Sequence, residues 1–393
     1  MPQFAKRMDR VGPSAIMELL KTAGSTQMIS LASGLPDPEM FPAQSLLEIT
    51  ERVLSEDPAG ALQYGPAEGY RPLRDWVAER LRARGFAASA ENVLLTSGSQ
   101  QALDLAARAF IDDGDAVAIE CPTYLAALQV FDSYGASYRQ IDHDSDGMVV
   151  GLAEKALSQG CKLMFTLPNY QNPTGRTLHL HRREQLAEAL AKSDTILLED
   201  DAYYDLRYEG SALPPIGALI PPGRALYSGT FSKTIAPGLR VGYLYGPAPV
   251  IERLTHLKQM ADLHTSSLCQ RLVYRFMTEY DLDSQIARLC SAYAAKRDAM
   301  LEALRSHMPA AVTWTHPAGG MFVWLFLPSG LDAADLLRAA LERGLLFVPG
   351  QGFHADRSGA NTLRLTFVTA TAAQIAAGVS ILADVLREAI AAG

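Results

Sequence analysis

Apolar and polar positions along this chain change period several times, and each change marks an element. In residues 14–24, Ile16, Leu19 and Leu20 recur at helical spacing, with Ser14 placed as an N-cap and Gly24 as a stop. MISLASG then reads as a short strand and LPDPEMFP as a loop, helical spacing returns from Leu46, and YGPAEGY, from Tyr64 to Tyr70, is again a loop. Thereafter short apolar runs alternate with helical stretches: NVLLT, QQALDLAARAF, AVAIE, TYLAALQVF, KLMFTL, a helix over 184–191, and TILLED. RALYSG and RVGYLYG add two strands, followed by a long helical region over about 250–307. Such alternation predicts an α/β domain, over residues 45–285, with a mostly parallel sheet covered on both faces. The character changes near residue 310, where AGGMFVWLFL, LLFVP and NTLRLTF read as strands among helices over 333–342 and 371–391. A smaller α+β domain is therefore expected over 286–393, completed by residues 1–44.

In an open α/β sheet, ligands sit beyond the carboxyl ends of the strands. The polar residues of this chain gather in sequence at those ends: 97–101 after NVLLT, Tyr124 after AVAIE, 169–175 after KLMFTL, Asp200 and Tyr203 after TILLED, and Lys233 after RALYSG. Polar groups at five strand ends favour a binding site over a purely structural reading.

Composition narrows the class. The 393 residues are 48% hydrophobic and 20% charged, as in an ordinary globular enzyme, and the net charge of −8 offers no broad cationic face for nucleic acid or an anionic membrane. Cys121, Cys161, Cys269 and Cys290 are too widely spaced for a zinc site or a disulfide scaffold, which suits free thiols in a reducing compartment. MPQFAKRMDR leads into no apolar signal core, and MFVWLFL is too short to span a bilayer, so the cytoplasm is the expected location.

Individual motifs allow more than one reading. TSGSQQAL is either a plain helix cap or a helix start whose amides bind an anion; it matches neither a P-loop nor a dinucleotide fingerprint. Glu199, Asp200 and Asp201 are solvated, or hold a metal, or are buried against a cation; the scarcity of nearby histidine disfavours the metal. Asn172 in LPNYQNPTG is part of a turn or a fixed amide donor, and Tyr124 is a core aromatic or a platform for a planar ring. Arg364, inside the apolar strand NTLRLTF, needs an anion, either an internal acid or a ligand carboxylate. In SGTFSKTIAPGLRVGY, Lys233 stands among Ser228, Thr230 and Ser232, with Arg240 seven positions later. An amine able to form a Schiff base beside hydroxyls and a guanidinium suits a planar aldehyde bearing a phosphate, which is pyridoxal 5′-phosphate.

SLASGLPDPEMFP, LQYGPAEGYRPLR, TSGSQQALDL, CPTYLAAL, PNYQNPTG, EDDAYYDL, SGTFSKTIAPGLRVGY, ADLHTSS, HPAGGMFVW, VPG and NTLRLTF occur in order along the chain. Together they resemble the fold-type I aminotransferases of class I/II, within them the subgroup of 2-aminoadipate aminotransferases and MocR-type regulator domains; no winged helix precedes the matching segments here. The resemblance implies a seven-stranded large-domain sheet, a homodimer with composite sites, and a pyridoxal phosphate-dependent exchange of an amino group between an L-amino acid and a 2-oxo acid such as 2-oxoglutarate. It implies Lys233 as the cofactor-bonding and proton-moving lysine, and Asp200 as the partner of the pyridine nitrogen. Tyr203 and Asn172 would hold the phenolic oxygen, and Tyr124 would stack on the ring. Ser99, Gln100, Thr230, Ser232 and Arg240 would form the phosphate cradle, joined by Tyr64 from the neighbouring subunit. Arg364, with Asn172 and the backbone at Gly34, would bind the substrate carboxylate.

Two departures from the wider family sharpen the expectation. Thr230 three residues before the lysine, and the seven-residue gap to Arg240, favour the aminoadipate-like subgroup. Met17, however, stands where aminoadipate- and glutamate-using relatives can hold an arginine, and its thioether suits a neutral, aliphatic or aromatic side chain. The same residues could instead serve 2-aminoadipate or glutamate, a β-lyase, or a cofactor-binding sensor without turnover.

Overall fold

The computed structural model describes residues 3–12 and 28–392. Met17 and the helix expected over 14–24 lie outside the described residues. The strands, in chain order, are Ile29–Ser30 (β1), Val93–Thr96 (β2), Ala116–Cys121 (β3), Ser137–Asp144 (β4), Gly147–Met148 (β5), Leu163–Thr166 (β6) and Ile196–Asp200 (β7). They continue with Ala225–Thr230 (β8), Gly242–Tyr245 (β9), Thr313–Trp314 (β10), Phe322–Phe326 (β11), Leu345–Leu346 (β12), Val348–Pro349 (β13) and Thr362–Thr366 (β14).

The large sheet has the order β2-β9-β8-β7-β6-β3-β4-β5. Strands β4, β3, β6, β7 and β8 run parallel, whereas β9 is antiparallel to both of its neighbours. Since β9 is reversed between β2 and β8, the carboxyl end of β2 and the start of β9 share an edge with the carboxyl ends of the parallel strands. The sheet is apolar where helices cover it: β2 and β6 are buried throughout, packed with Leu103, Leu105, Phe131 and Leu254. An eighth strand, the two-residue β5, extends the expected seven as a hairpin on β4. No apolar run announces β4: its sequence SYRQIDHD buries only Ile141, because only the two-residue β5 lies beyond it and a strand so near the sheet edge needs little core.

The helical region expected over 250–307 is three helices, Ala248–Asp262, Ser267–Glu279 and Leu282–His307. Leu263 adopts φ +62° after the first, the Ser266 hydroxyl accepts from the Cys269 N–H at the second, and Asp281 accepts from Asp283 and Ser284 N–H groups at the third. Each cap is worth about 1 kcal/mol and localises a break that apolar periodicity does not show.

A second, antiparallel sheet has the order β10-β11-β14-β13 around Phe322, Trp324, Leu363 and Leu365. β1 pairs in parallel with β12, Ile29 opposite Leu345, and the Leu31 carbonyl accepts the Thr366 N–H at 2.8 Å. Further along, Lys296 Nζ donates to Asp37 at 2.6 Å. Residues 29–37 are thereby strapped along the second sheet, which carries the Ala32 and Gly34 carbonyls to the strand-end edge of the large sheet.

Candidate active site

The strand ends β3, β6, β7 and β8 and the start of β9 bring Tyr124, Asn172, Asp200, Tyr203, Thr230, Ser232, Lys233 and Arg240 to one edge of the sheet. Alternation along β7 separates its acids. Glu199 turns to one face and accepts the N–H groups of Ile216 and Gly217, at 3.0 and 2.8 Å. Asp201 is buried and accepts from Asn169 Nδ2 at 2.9 and 3.0 Å and from the Tyr227 hydroxyl at 2.8 Å. Asp200, between them, faces the other way. It is buried, and its Oδ1 has no hydrogen-bond partner; Ser228 Oγ, its register neighbour on β8, is orphaned as well. Burial pushes the Asp200 carboxyl up to about 7, with the Asp201 charge adding to the shift and the adjacent Ser228 hydroxyl, then Lys233, pulling against it. The three acids are thus neither solvated nor a metal cluster: no group of three metal-capable side chains exists among the described residues.

Lys233 Nζ donates to the Gly34 carbonyl at 2.9 Å and lies 5.9 Å from the centre of the Tyr203 ring. Burial lowers its ammonium to about 8, helped by repulsion from Arg364 and Arg240 and opposed by Asp200. An amine with that value is a far better nucleophile at neutral pH than an ordinary lysine.

Arg364, 1% exposed on β14, lies 4.2 Å above the Phe322 ring and 5.1 Å from that of Phe353. Its Nη1 donates to Asn172 Oδ1 and its Nη2 to the Ala32 carbonyl, each at 2.8 Å, while Nε is buried without a partner. Neither partner is an acid, so the internal-acid alternative for Arg364 fails among the described residues. Burial brings the guanidinium down to about 10, with Tyr203 and Tyr124 opposing. Such a charge wants an external anion.

Tyr124, half-buried, caps the helix Leu125–Ser133; burial, then the Asp200 charge, raises its phenol to about 12. The Tyr203 phenol is also raised by burial, beside Tyr124 and Asn172, and its ring meets Phe322 edge-on at 5.9 Å.

At the end of β2, Gly98 has φ +82°, and the helix Ser99–Phe110 begins without a side-chain cap. Its first amides are therefore available to an anion. Arg240, at φ +50°, donates from Nη2 to the Ser97 carbonyl at 2.9 Å; the φ of +82° makes glycine the residue suited to position 98, and a Cβ there, 2.3 Å from that nitrogen, would also push the guanidinium aside. Thr230 Oγ1 and Ser232 Oγ are 2.9 Å apart, and Ser99 and exposed Gln100 occupy the first two helical positions. Tyr64 stands apart from these, 76% exposed and edge-on to His264 at 5.7 Å.

The residues fit pyridoxal phosphate on grounds independent of any motif: an amine of lowered pKa, an orphaned buried carboxyl for a ring N–H, and an uncapped helix start beside Arg240 for a phosphate. Sequence reasoning missed Phe322 and Phe353, which flank Arg364; Ser228, read there as one of the phosphate hydroxyls, is instead fully buried beside Asp200 on the neighbouring strand. Both phenylalanines lie in runs that carry no chemical signal.

Residues 26–382 match the family described as aminotransferase class I and II, and the chain belongs to that family. It is 42% identical to the aromatic-amino-acid aminotransferase 1 of Thermococcus litoralis, over 98% of this chain and 94% of the relative. The structure of Pyrococcus horikoshii kynurenine aminotransferase, in complex with PMP, kynurenine as substrate and kynurenic acid as product, superimposes with a TM-score of 0.94 at 41% identity, covering 98% of this chain and 97% of the other. An alpha-aminoadipate aminotransferase from Thermus thermophilus, complexed with N-(5′-phosphopyridoxyl)-L-leucine, gives a TM-score of 0.93 at 38% identity, over 99% of this chain and 98% of the other. The protein is a pyridoxal phosphate-dependent aminotransferase that moves an amino group between an amino acid and a 2-oxo acid.

Proposed function

We propose that the amino donors of this enzyme carry neutral, aliphatic or aromatic side chains, that 2-oxoglutarate serves as an acceptor, and that the gathered residues act as follows. The observation that carries the reading is the pair of buried charged side chains, Asp200 and Arg364, neither offered a counter-charge by a direct hydrogen bond. When bound, pyridoxal phosphate supplies an electron sink for the electrons left at the substrate α-carbon as its proton departs. Asp200 holds the pyridine nitrogen protonated, and Tyr203 and Asn172 hydrogen-bond the phenolic oxygen. Tyr124 lies against the ring. Ser99, Gln100, Thr230, Ser232 and Arg240 grip the phosphate. Arg364 clamps the substrate carboxylate with help from Asn172, which fixes the α-carbon within reach of Lys233, and Lys233 removes and returns the proton there. The strap at Gly34 closes over the reacting atoms and excludes water.

Support for a neutral donor comes from Met17 in the sequence and from the aromatic-amino-acid, kynurenine and leucine ligands or activities of the relatives. The alternative is a 2-aminoadipate- or glutamate-specific enzyme, in keeping with Thr230 and the seven-residue gap to Arg240, which favour the aminoadipate-like subgroup. We further propose a homodimer in which exposed Tyr64 reaches the partner's phosphate site, a division into a large domain at 45–285 and a small one at 1–44 and 286–393, and a cytoplasmic location. Among the described residues no helix is long and apolar enough to cross a membrane, and the four cysteines are free.

Amino donors screened against 2-oxoglutarate and pyruvate, with Lys233→Ala and Met17→Arg alongside, test the reading. Lys233→Ala should lose turnover, and Met17→Arg should gain 2-aminoadipate and glutamate relative to neutral donors. Ample activity in the first variant would remove Lys233 from the chemistry, and no relative gain in the second would remove the basis for a neutral pocket.

A further inference from the structure

Behind the proposed phosphate cradle lies a polar cluster, buried at Lys258 and open to solvent at Asp262, for which the chemistry described above has no use. Lys258, fully buried in the last turn of the helix Ala248–Asp262, donates from Nζ to both Asp262 oxygens and to Gln101 Oε1, each at 2.8 Å. Gln101 Nε2 donates to Asp262 Oδ2 at 2.7 Å, and Gln101 Oε1 also accepts the Ser97 N–H at 2.8 Å. Ser97 Oγ donates to Asp262 Oδ2 at 3.0 Å and lies 3.2 Å from Thr265 Oγ1, while the Ser97 carbonyl takes Arg240 Nη2 at 2.9 Å. Every hydrogen-bonding group of Ser97, its N–H, hydroxyl and carbonyl, is thus engaged.

Only Lys258 of the pair is buried, while Asp262 stays open to solvent, so desolvation of the ammonium offsets much of an attraction that water also screens, and the pair is a poor way to gain stability. What such a cluster does provide is direction: it admits few alternative arrangements, and here the atoms it directs belong to the turn immediately before Gly98 and Ser99. The cluster also extends toward the loop that carries Tyr64. Thr265 accepts Gln270 Nε2 at its carbonyl at 2.5 Å, and Gln270 Oε1 accepts the Tyr70 N–H at 2.6 Å.

We propose that Lys258 and Gln101 are positioning residues which, with Asp262 and acting through Ser97, aim the first amides of the helix Ser99–Phe110 and the Arg240 guanidinium at the cofactor phosphate. The inference rests on the phosphate cradle assigned above. Neither residue touches the cofactor; both determine how well a phosphate is recognised, and have no bearing on the ring.

Pyridoxal, which lacks the phosphate, separates that role from general damage. Full-length Lys258→Met, Gln101→Met and Arg240→Met are titrated with pyridoxal phosphate and with pyridoxal, and binding is followed by visible absorption. Loss of a charge-assisted hydrogen-bond network corresponds to about ten- to a hundredfold in affinity. Lys258→Met and Gln101→Met should lose about that much for pyridoxal phosphate and less than about twofold for pyridoxal, and inorganic phosphate should compete less well in both. Gln101→Met leaves the Lys258–Asp262 pair intact and decides the matter where Lys258→Met fails to fold. Unchanged affinity for pyridoxal phosphate, or equal losses for the two ligands, overturns the proposal. If Arg240→Met separates the ligands while the cluster variants do not, the cradle stands and only the positioning role falls; if Arg240→Met does not separate them, the cradle falls and this proposal with it.

Discussion

Replacing Arg364 with methionine should leave the folded protein nearly as stable as before while removing most of its discrimination for amino acids. Burial lowers the guanidinium from 12.5 to about 10, and 2.5 pH units correspond to about 3 kcal/mol of unfavourable charge burial at neutral pH. Arg364→Met relieves that penalty. Against it stand two acceptors left unpaired, Asn172 Oδ1 and the Ala32 carbonyl, at about 1–2 kcal/mol each, and the contacts over Phe322 and Phe353, about 1 kcal/mol together. The terms cancel to within about 2 kcal/mol, so thermal denaturation at pH 7 should shift by only a few degrees. Binding behaves differently, because a substrate carboxylate supplies the missing counter-charge, and loss of one partner of a buried ion pair costs about 2–5 kcal/mol, or roughly thirty- to several-thousandfold in kcat/KM. The assay is the first half-reaction, measured for an L-amino acid and for the amine that lacks only its carboxylate. The wild type should strongly prefer the amino acid, and Arg364→Met should level that preference by losing the amino acid and sparing the amine. Equal losses for both donors, or a destabilisation above about 4 kcal/mol, would refute the assignment of Arg364 to the substrate carboxylate.

Other expectations follow from the same site. In cofactor-free protein the carboxyls of Asp200, Glu120 and Glu199 are all pushed up to about 7 by burial, so the stability these three contribute is fully present below their ordinary range and is lost as pH rises through 7; Asp200→Asn should flatten part of that loss in denaturation curves between pH 5 and 8, and an unaltered slope would contradict the burial argument. With Lys233 lowered to about 8, the rate at which cofactor-free protein captures pyridoxal phosphate should rise with pH and level off above about 8, and a rate independent of pH between 7 and 9 would count against it. Tyr64→Phe should weaken pyridoxal phosphate binding by about 1 kcal/mol, some fivefold, without altering the sedimentation coefficient of the protein; a monomeric wild type with full activity would exclude the proposed composite site.

The parallel strands were readable because both faces of each are covered, so each is an uninterrupted apolar run ending in polar residues; VLLT, LMFT and ILLED needed no partner information. Lys233, Asp200 and Arg364 stood out for a related reason: charged groups attached to apolar strands must be solvated, paired or used. Strand β4 escaped notice because a strand next to the sheet edge, flanked only by the two-residue β5, lacks that run, and the breaks within 250–307 because caps at Ser266 and Asp281 interrupt the helical region without any change in its overall period.

By itself the sequence determined which side chains are available and in what order, since local period and turn chemistry depend only on neighbours in the chain. Which use each charge serves was decided by tertiary structure. Alternation on β7 sends Glu199 and Asp201 to protein partners and leaves Asp200 without one. Reversal of β9 returns Arg240 to the edge where β2 ends, and the strap at 29–37 lays the Ala32 and Gly34 carbonyls on Arg364 and Lys233. Lys258, whose surroundings in HLKQMAD resemble any solvated helix face, is buried because the helix packs behind Ser97. Burial and pairing join residues more than a hundred positions apart, and a local pattern holds no record of distances of that kind.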